Sequence, residues 1–385
     1  MIFSYKKVEK TSRPVPLSIS MSTLIVVEYY TNLLNLIISI PNIQITLATM
    51  FIMITLNSKH LRGTTYRKSK TLVDYRIAVT SKSLFLLFLY SILPTNVTHS
   101  LAGRLAMMAY LPYYLDFAEY RGDRRIVMPS IFHRVLYWLF RVMGSYQVIN
   151  SEITPLDIRD GPYILGLHPH GLFPFGSIGC FTMPHDMDTI GRTMPILLSR
   201  RLKCGMASFA LYLPIIREIF LWLGAIDCSK PVLQEQLDDG DSIAVFVGGA
   251  QESEYSGRGS TSLIIDKRNG IFRLALETGA KLVPVYTFGN NNMFRAYRWD
   301  LFGIFNLVKI VTGMWFPRGY FEFTRHRFIT VVGKPVWIKH EEKDRDITDK
   351  MITEFKARYI ESLTELFDRY KYLDMDIKDL SLKII

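Results

Sequence analysis

Cysteine is scarce in this 385-residue chain, which has only Cys180, Cys204 and Cys228. Their even spacing fits neither a disulfide framework nor a zinc site, and it suits a catalytic domain facing the cytosol. No Gly-x-Ser-x-Gly elbow occurs, which argues against a serine hydrolase. No RNP-like, finger or helix-turn-helix signature accompanies the net charge of +11, so nucleic acid is not an expected partner. Internal repeats and low-complexity segments are also lacking. Nor is there a cleavable signal peptide: the basic, Pro-containing run from Lys6 to Pro16 leads into a long uncharged stretch without a small-residue cleavage site. A membrane association would therefore rest on internal segments.

Charge is missing altogether from Tyr29 to Ser58, a run long enough to span a bilayer of ~30 Å at roughly 1.5 Å per residue. Pro41-Asn42 splits it near the middle, so a broken or re-entrant helix competes with a clean span. Acid is then scarce between Asn57 and Lys82, where Lys59, Arg62, Arg67, Lys68, Lys70, Arg76 and Lys82 face Asp74 alone. Such a cluster suits an anionic membrane face, at ~1 kcal/mol per basic residue, or a solvated basic linker. Two shorter apolar arms follow, Ser83 to Leu93 and Leu101 to Leu115, around the polar turn Pro94-Thr95-Asn96. Each is short for a span, which predicts a hairpin in one leaflet, two tilted helices, or a buried helical pair in a soluble core. An amphipathic helix, interfacial or core-facing, is expected over Ile131 to Arg141.

What is abundant is apolar material: 49% of residues are hydrophobic and 13% aromatic, with positive mean hydropathy. That content builds a sizeable core and leaves apolar surface for lipid. From about Asp157 the pattern changes to short apolar runs alternating with amphipathic stretches. Tyr163 to Leu167, Ser242 to Val247, Leu282 to Thr287 and Phe328 to Val332 read as buried strands. Lys267 to Glu277 and Thr348 to Lys371 read as helices, the second with Met351, Phe355, Tyr359, Leu363, Leu366, Phe367 and Tyr370 on one stripe. The pattern is that of an α/β domain, expected to hold a central mixed sheet with flanking helices and to be preceded by N-terminal membrane helices. Its boundaries are 1–82 for the apolar segment and basic linker, 83–117 for the membrane hairpin and 118–385 for the catalytic domain.

Three motifs can carry chemistry. The strand Tyr163 to Leu167 runs into His168-Pro169-His170-Gly171, placing two imidazoles at a strand's C-terminal end, where open α/β sheets usually hold their sites. Pro169 fixes one φ and Gly171 lets the chain turn, so the rings can be held at a defined angle. A neutral imidazole there can act as general base for an alcohol attacking an acyl group. His-x-His is also a metal spacing, but the remaining histidines form no second cluster and no metal is expected. The second motif is Gly248-Gly249-Ala250-Gln251-Glu252, where backbone amides of Gly248 and Gly249 could bind an oxyanion and Glu252 could orient or charge-pair with a histidine. The third is Lys267-Arg268-Asn269-Gly270-Ile271, read as the opening of a helix and hence an anion site, or as a solvated basic turn.

Taken in order, these motifs resemble the type-2 diacylglycerol acyltransferase family, which includes monoacylglycerol and wax-alcohol acyltransferases. The resemblance runs from about Leu101 to Tyr372. It also uses Pro214 to Arg217 with Gly224, Leu282-Val283-Pro284 leading to Phe288-Gly289-Asn290, Arg318-Gly319, and Val331-Val332-Gly333-Lys334-Pro335. The family's Phe-Gly-Glu-Asn reads Phe288-Gly289-Asn290-Asn291 here, and its Tyr-Phe-Pro motif is replaced by Val142-Met143-Gly144-Ser145. The resemblance implies transfer of a fatty acyl group from acyl-CoA, as substrate and without a cofactor, to a neutral lipid alcohol such as diacylglycerol. It implies a protein of the endoplasmic reticulum membrane or of lipid droplets, and leaves self-association into a homo-oligomer open. Monoacylglycerol or fatty-alcohol transfer, or a silent lipid-binding relative, are the alternatives. In this reading His170 and His168 supply or position the base, Glu252 orients it, Gly171, Gly248 and Gly249 shape the backbone or hold the oxyanion, and Arg268, Lys267 and Asn290 bind acyl-CoA.

Overall fold

The structure, a computed structural model, describes residues 109–110, 113–114, 116–125, 144–150, 160–174, 201–208, 210–297, 320–323, 326–337 and 347–385. The uncharged run from Tyr29 to Ser58, nearly all of the expected hairpin and the helix expected over Ile131 to Arg141 lie outside these residues. Among the described residues no helix is long and apolar enough to cross a membrane.

The described core is a seven-stranded mixed sheet. In chain order its strands are β1 (Gly144–Asn150), β2 (Tyr163–His168), β3 (Leu202–Met206), β4 (Ala225–Asp227), β5 (Ser242–Phe246), β7 (Lys281–Phe288) and β10 (His326–Val332), arranged β1-β10-β7-β2-β5-β3-β4. Two-residue strands β6 (Ser262–Leu263) and β11 (Lys383–Ile384) pair separately, as do β8 (Phe294–Tyr297) and β9 (Tyr320–Phe323). The strands from β7 to β4 are parallel, while β10 is antiparallel to β7 and carries β1 parallel to itself. The four strands expected from sequence are β2, β5, β7 and β10. Parallel strands covered on both faces read as unbroken apolar runs, which is why the sequence marks them.

Alternation along β2 sorts its side chains. Tyr163, Leu165 and Leu167 join one buried cluster with Leu202, Val283, Val285 and Val332, while Ile164 joins the larger cluster beneath the helices. Helix α1 (Ala118–Arg121) and helix α2 (Ile216–Trp222) pack at the β4 edge. Helices α3 (Lys230–Asp238), α4 (Gly270–Thr278) and α5 (Asp349–Tyr370) cover the face that includes Ile164. On α5 the buried stripe is Ile352, Phe355, Tyr359, Leu363, Leu366 and Phe367, with Met351 and Tyr370 partly buried beside it. Helix α4 starts at Gly270 rather than Lys267, because Arg268 N–H bonds the Ile265 carbonyl in a preceding turn.

The α5 N-terminus is capped by Thr348, whose Oγ1 accepts the Met351 N–H at 3.3 Å. Thr348→Ala removes that acceptor and should destabilise the fold by about 1 kcal/mol. A lower melting temperature with unchanged activity per folded molecule is the expected measurement.

Arg217, from the Pro214 to Arg217 motif, is fully buried. Its guanidinium reaches Glu119 Oε2 at 2.6 Å, Asp116 Oδ1 at 2.8 Å and Glu218 Oε1 at 2.5 Å. This ion cluster fastens the chain before and within α1 onto α2. Within this motif Arg217 serves as a structural link between α1 and α2.

Candidate active site

Strands β2, β5 and β7 run parallel and adjacent, so their C-terminal ends emerge on one side of the sheet. From β2 comes His168-Pro169-His170-Gly171, from β5 the turn Gly248 to Glu254, and from β7 the turn Gly289 to Asn292. The sheet thus brings together three segments separated by up to about 120 residues in sequence.

The two histidines occupy different environments. His168, the last residue of β2, is completely buried, and its Nε2 lies 2.8 Å from the hydroxyl of Tyr359 on α5. Gly166 makes that approach possible, since a Cβ at this position would overlap the Tyr359 hydroxyl. Burial holds the His168 imidazole neutral, its pKa pushed down to about 3. His170 is only partly buried, and its ring packs edge-on to Phe246. Its Nδ1 lies 3.0 Å from the Gly171 carbonyl oxygen. A carbonyl only accepts, so Nδ1 carries the proton and Nε2 keeps its lone pair. Burial lowers the His170 pKa, against an opposing effect of the Gly171 carbonyl. A neutral imidazole with a fixed tautomer is a group prepared to accept a proton.

Glu252 meets neither imidazole, so of its two expected roles, orienting a histidine or charge-pairing with one, the direct pairing is not formed. Its Oε2 accepts the backbone N–H of His170 at 2.8 Å and its Oε1 accepts that of Ile264 at 2.9 Å. The carboxylate therefore orients His170 through the main chain. It is 2% exposed, and burial pushes its pKa up to about 7 against the two N–H donors and Arg268. Gly248 leaves the space for it, since a Cβ there would overlap the Glu252 carboxylate.

The amide of Gly249 is committed to the turn, bonding the Phe246 carbonyl at 3.0 Å, so its expected role as oxyanion donor does not hold. Arg268 is turned inward. One guanidinium nitrogen donates to the Gly248 carbonyl at 2.7 Å and the Gln251 side chain at 2.9 Å, which locks the Gly248 to Glu252 turn. Against the expectation of a grip on acyl-CoA from a helix N-terminus, Arg268 precedes α4 instead of opening it, and its described contacts go to the protein's own turn. Lys267 is exposed beside it.

Asn290, expected at acyl-CoA, is 2% exposed and points at the histidine loop. Its Nδ2 donates to the carbonyls of Pro169 and His170, both at 3.3 Å, and a Cβ on Gly171 would overlap it. A glutamate at this position could not donate to two carbonyls while ionised. Two residues of this environment carried no motif. Tyr359 stood on the core stripe, where its buried hydroxyl was the available signal, since such groups generally need a partner. Asp374 lies beyond the last helix and had no signal at all. Among the described residues no group of His, Cys, Asp and Glu could hold a metal.

The family model described as diacylglycerol acyltransferase matches residues 151–384. Diacylglycerol O-acyltransferase 2 of Dictyostelium discoideum is 30% identical over 71% of this chain and 83% of its own length. Human 2-acylglycerol O-acyltransferase 3 is 30% identical over 60% of this chain and 71% of its own. Mouse acyl-CoA wax alcohol acyltransferase 2 is 29% identical over 69% and 80%. The solved 1-acyl-sn-glycerophosphate acyltransferase of Thermotoga maritima covers 68% of this chain and 93% of its own at 15% identity and TM-score 0.37. The family match spans all three turns that build the histidine site, and the chain belongs to the diacylglycerol acyltransferase family.

Proposed function

We propose that the protein transfers a fatty acyl group from acyl-CoA to the hydroxyl of diacylglycerol, forming triacylglycerol. The observation that carries this reading is the fixed tautomer of His170, whose Nδ1 faces the Gly171 carbonyl and leaves Nε2 as a proton acceptor, in a chain of this family. Nε2 takes the proton of the acceptor hydroxyl as its oxygen attacks the thioester carbonyl. The tetrahedral intermediate collapses with cleavage of the C–S bond, and the departing CoA sulfur receives the proton from the imidazolium. The ester and free coenzyme A leave, and His170 returns to its neutral form. Glu252, Asn290 and Arg268 hold the loop that carries this ring, and His168 anchors it on Tyr359.

The names of the relatives support three acceptor classes: diacylglycerol, 2-acylglycerol and wax alcohol. Supplying purified protein in detergent with labelled acyl-CoA and one acceptor at a time, then identifying products by mass, tests the reading. Triacylglycerol from diacylglycerol is expected; ester with fatty alcohol alone would move the assignment to wax synthesis, and no ester with any alcohol would sink it.

A membrane setting belongs to the same proposal. The uncharged Tyr29 to Ser58 run and the basic stretch after it support an anchor within 1–82, a hairpin over 83–117 and a catalytic domain over 118–385. Tyr113, Ile215 and Ile216 are 61%, 71% and 45% exposed. Ile215 and Ile216 lie at the start of α2, on the side of the sheet where β3 ends, so apolar surface flanks the active-site end. Free Cys204 and Cys228 suit a cytosol-facing domain at the endoplasmic reticulum or on lipid droplets.

A further inference from the structure

The C-terminal segment after α5 returns to the active site. Asp374 reaches the turn between β7 and β8, where its Oδ2 accepts the Gly289 N–H at 3.0 Å. Both of its oxygens accept from Asn292 Nδ2, at 3.1 and 3.2 Å, and Oδ1 also accepts its own neighbour's N–H, that of Asp376, at 3.0 Å. Asp376 in turn pairs with Arg258 at 2.9 Å, and Asn291 donates to the Ser260 carbonyl at 2.9 Å. The turn that Asp374 holds is a constrained one. Gly289 has φ +85, and a Cβ there would overlap the Arg327 carbonyl of β10.

Between Gly289 and Asn292 sits Asn290, and its amide grips the carbonyls of Pro169 and His170. One carboxylate, far along the chain from His170, therefore fixes the turn whose Asn290 side chain fixes the histidine loop. Glu252 holds the N–H side of the His170 residue and Asn290 its carbonyl side. The ring itself keeps its Nδ1 contact with the Gly171 carbonyl and its edge-on packing against Phe246.

We propose that Asp374 is a positioning residue for acyl transfer: acting through the Gly289 to Asn292 turn and Asn290, it sets the pose of the His170 ring. This rests on the reading of His170 as the base. Asp374 touches no reacting atom, so its effect is on kcat through the placement of Nε2 and not on the affinity for acyl-CoA.

The test uses the full-length protein in detergent, with kcat, the KM for acyl-CoA and the melting temperature measured for wild type, Asp374→Asn, Asn290→Asp and His170→Ala. Asp374→Asn keeps the volume but turns one acceptor oxygen into an NH2 group facing a backbone or side-chain donor. It should lower kcat about tenfold with KM within about twofold and the melting temperature close to wild type. In Asn290→Asp an ionised carboxylate faces two carbonyl oxygens, so the rate falls at neutral pH. Relative to wild type it should climb as pH falls, because only the protonated acid donates. His170, Glu252, Tyr286, Asp374, Asp376 and Arg258, the titratable and charged groups around this turn, are present in both proteins, so the ratio isolates the change made at position 290. Wild-type kcat in Asp374→Asn, or a loss explained wholly by a smaller folded fraction, overturns the proposal, as does a pH-independent ratio for Asn290→Asp. Wild-type kcat in His170→Ala would instead remove the base assignment, and the positioning role with it.

Discussion

Replacing His170 with alanine should lower kcat by about 10²- to 10⁴-fold while leaving the melting temperature near that of the wild type. The rate loss follows from removing the one imidazole here whose Nε2 is left as an acceptor by its Nδ1 contact with the Gly171 carbonyl. The stability follows from how the residue is held. Its N–H is bound by Glu252 and its carbonyl by Asn290, contacts that a methyl side chain leaves in place. His168→Ala should behave in the opposite sense. That ring is completely buried against Tyr359, so its loss opens a cavity and strands a buried hydroxyl, costing on the order of 1–3 kcal/mol in stability. Steady-state rates and thermal melting of the two variants side by side make the division of labour measurable. If His170→Ala kept more than about a tenth of wild-type kcat, with proton transfer worth at least ~10²-fold, the base would have to be sought elsewhere.

Much of the sheet was legible because β2, β5 and β7 are covered on both faces and so appear as continuous apolar runs with turn residues after them. The long helix was legible from its stripe. The sequence also placed His168, Gly248 and Glu252 together, since strands that end at equivalent points bring their following turns to one side. What it could not reveal was which atoms meet. Whether Glu252 reaches a ring or a backbone N–H depends on the path of a turn in which Gly248 leaves room for the carboxylate. Arg268 looked like a solvent-facing cation because its inward course is decided by the turn closed between Ile265 and Arg268, not by composition. Tyr359 read as core, which it is. Its second role appears only when α5 lies across β2 and Gly166 leaves space for the hydroxyl, a register set over 191 residues of separation. The departure of Asn290 from the family's glutamate looked like a lost acid in one dimension. In three dimensions it is a gained donor, and the carboxylate at that turn comes from Asp374.

Glu252 gives the second large effect, and it sets activity and stability moving in opposite directions with pH. Both oxygens accept a backbone N–H only when the group is ionised; protonation makes one of them a hydroxyl whose hydrogen competes with the His170 or Ile264 amide. The groups around it are His170, with its pKa lowered, Arg268, which favours the carboxylate, and Tyr359, which stays neutral because burial raises its pKa. The rate should therefore rise as pH increases through about 7, following Glu252 rather than the histidine. Stability follows the reverse course. The folded pKa of about 7 lies above the ordinary 4.5, so across that window the folded protein keeps a proton that the unfolded chain has released. The contribution is fully present below about 4.5 and lost as pH rises through about 7, amounting to a few kcal/mol at most. Glu252→Gln should flatten both curves. Its NH2 group faces one of the two amides, and stranding that buried donor at ~1–3 kcal/mol predicts a rate lower than wild type at pH 8 by roughly tenfold to a hundredfold. Measuring kcat and melting temperature from pH 5.5 to 8.5 decides the matter. An acid limb that survives in Glu252→Gln with an unchanged midpoint would assign the titration to another group, and the carboxylate would then be only a strut for the His170 loop.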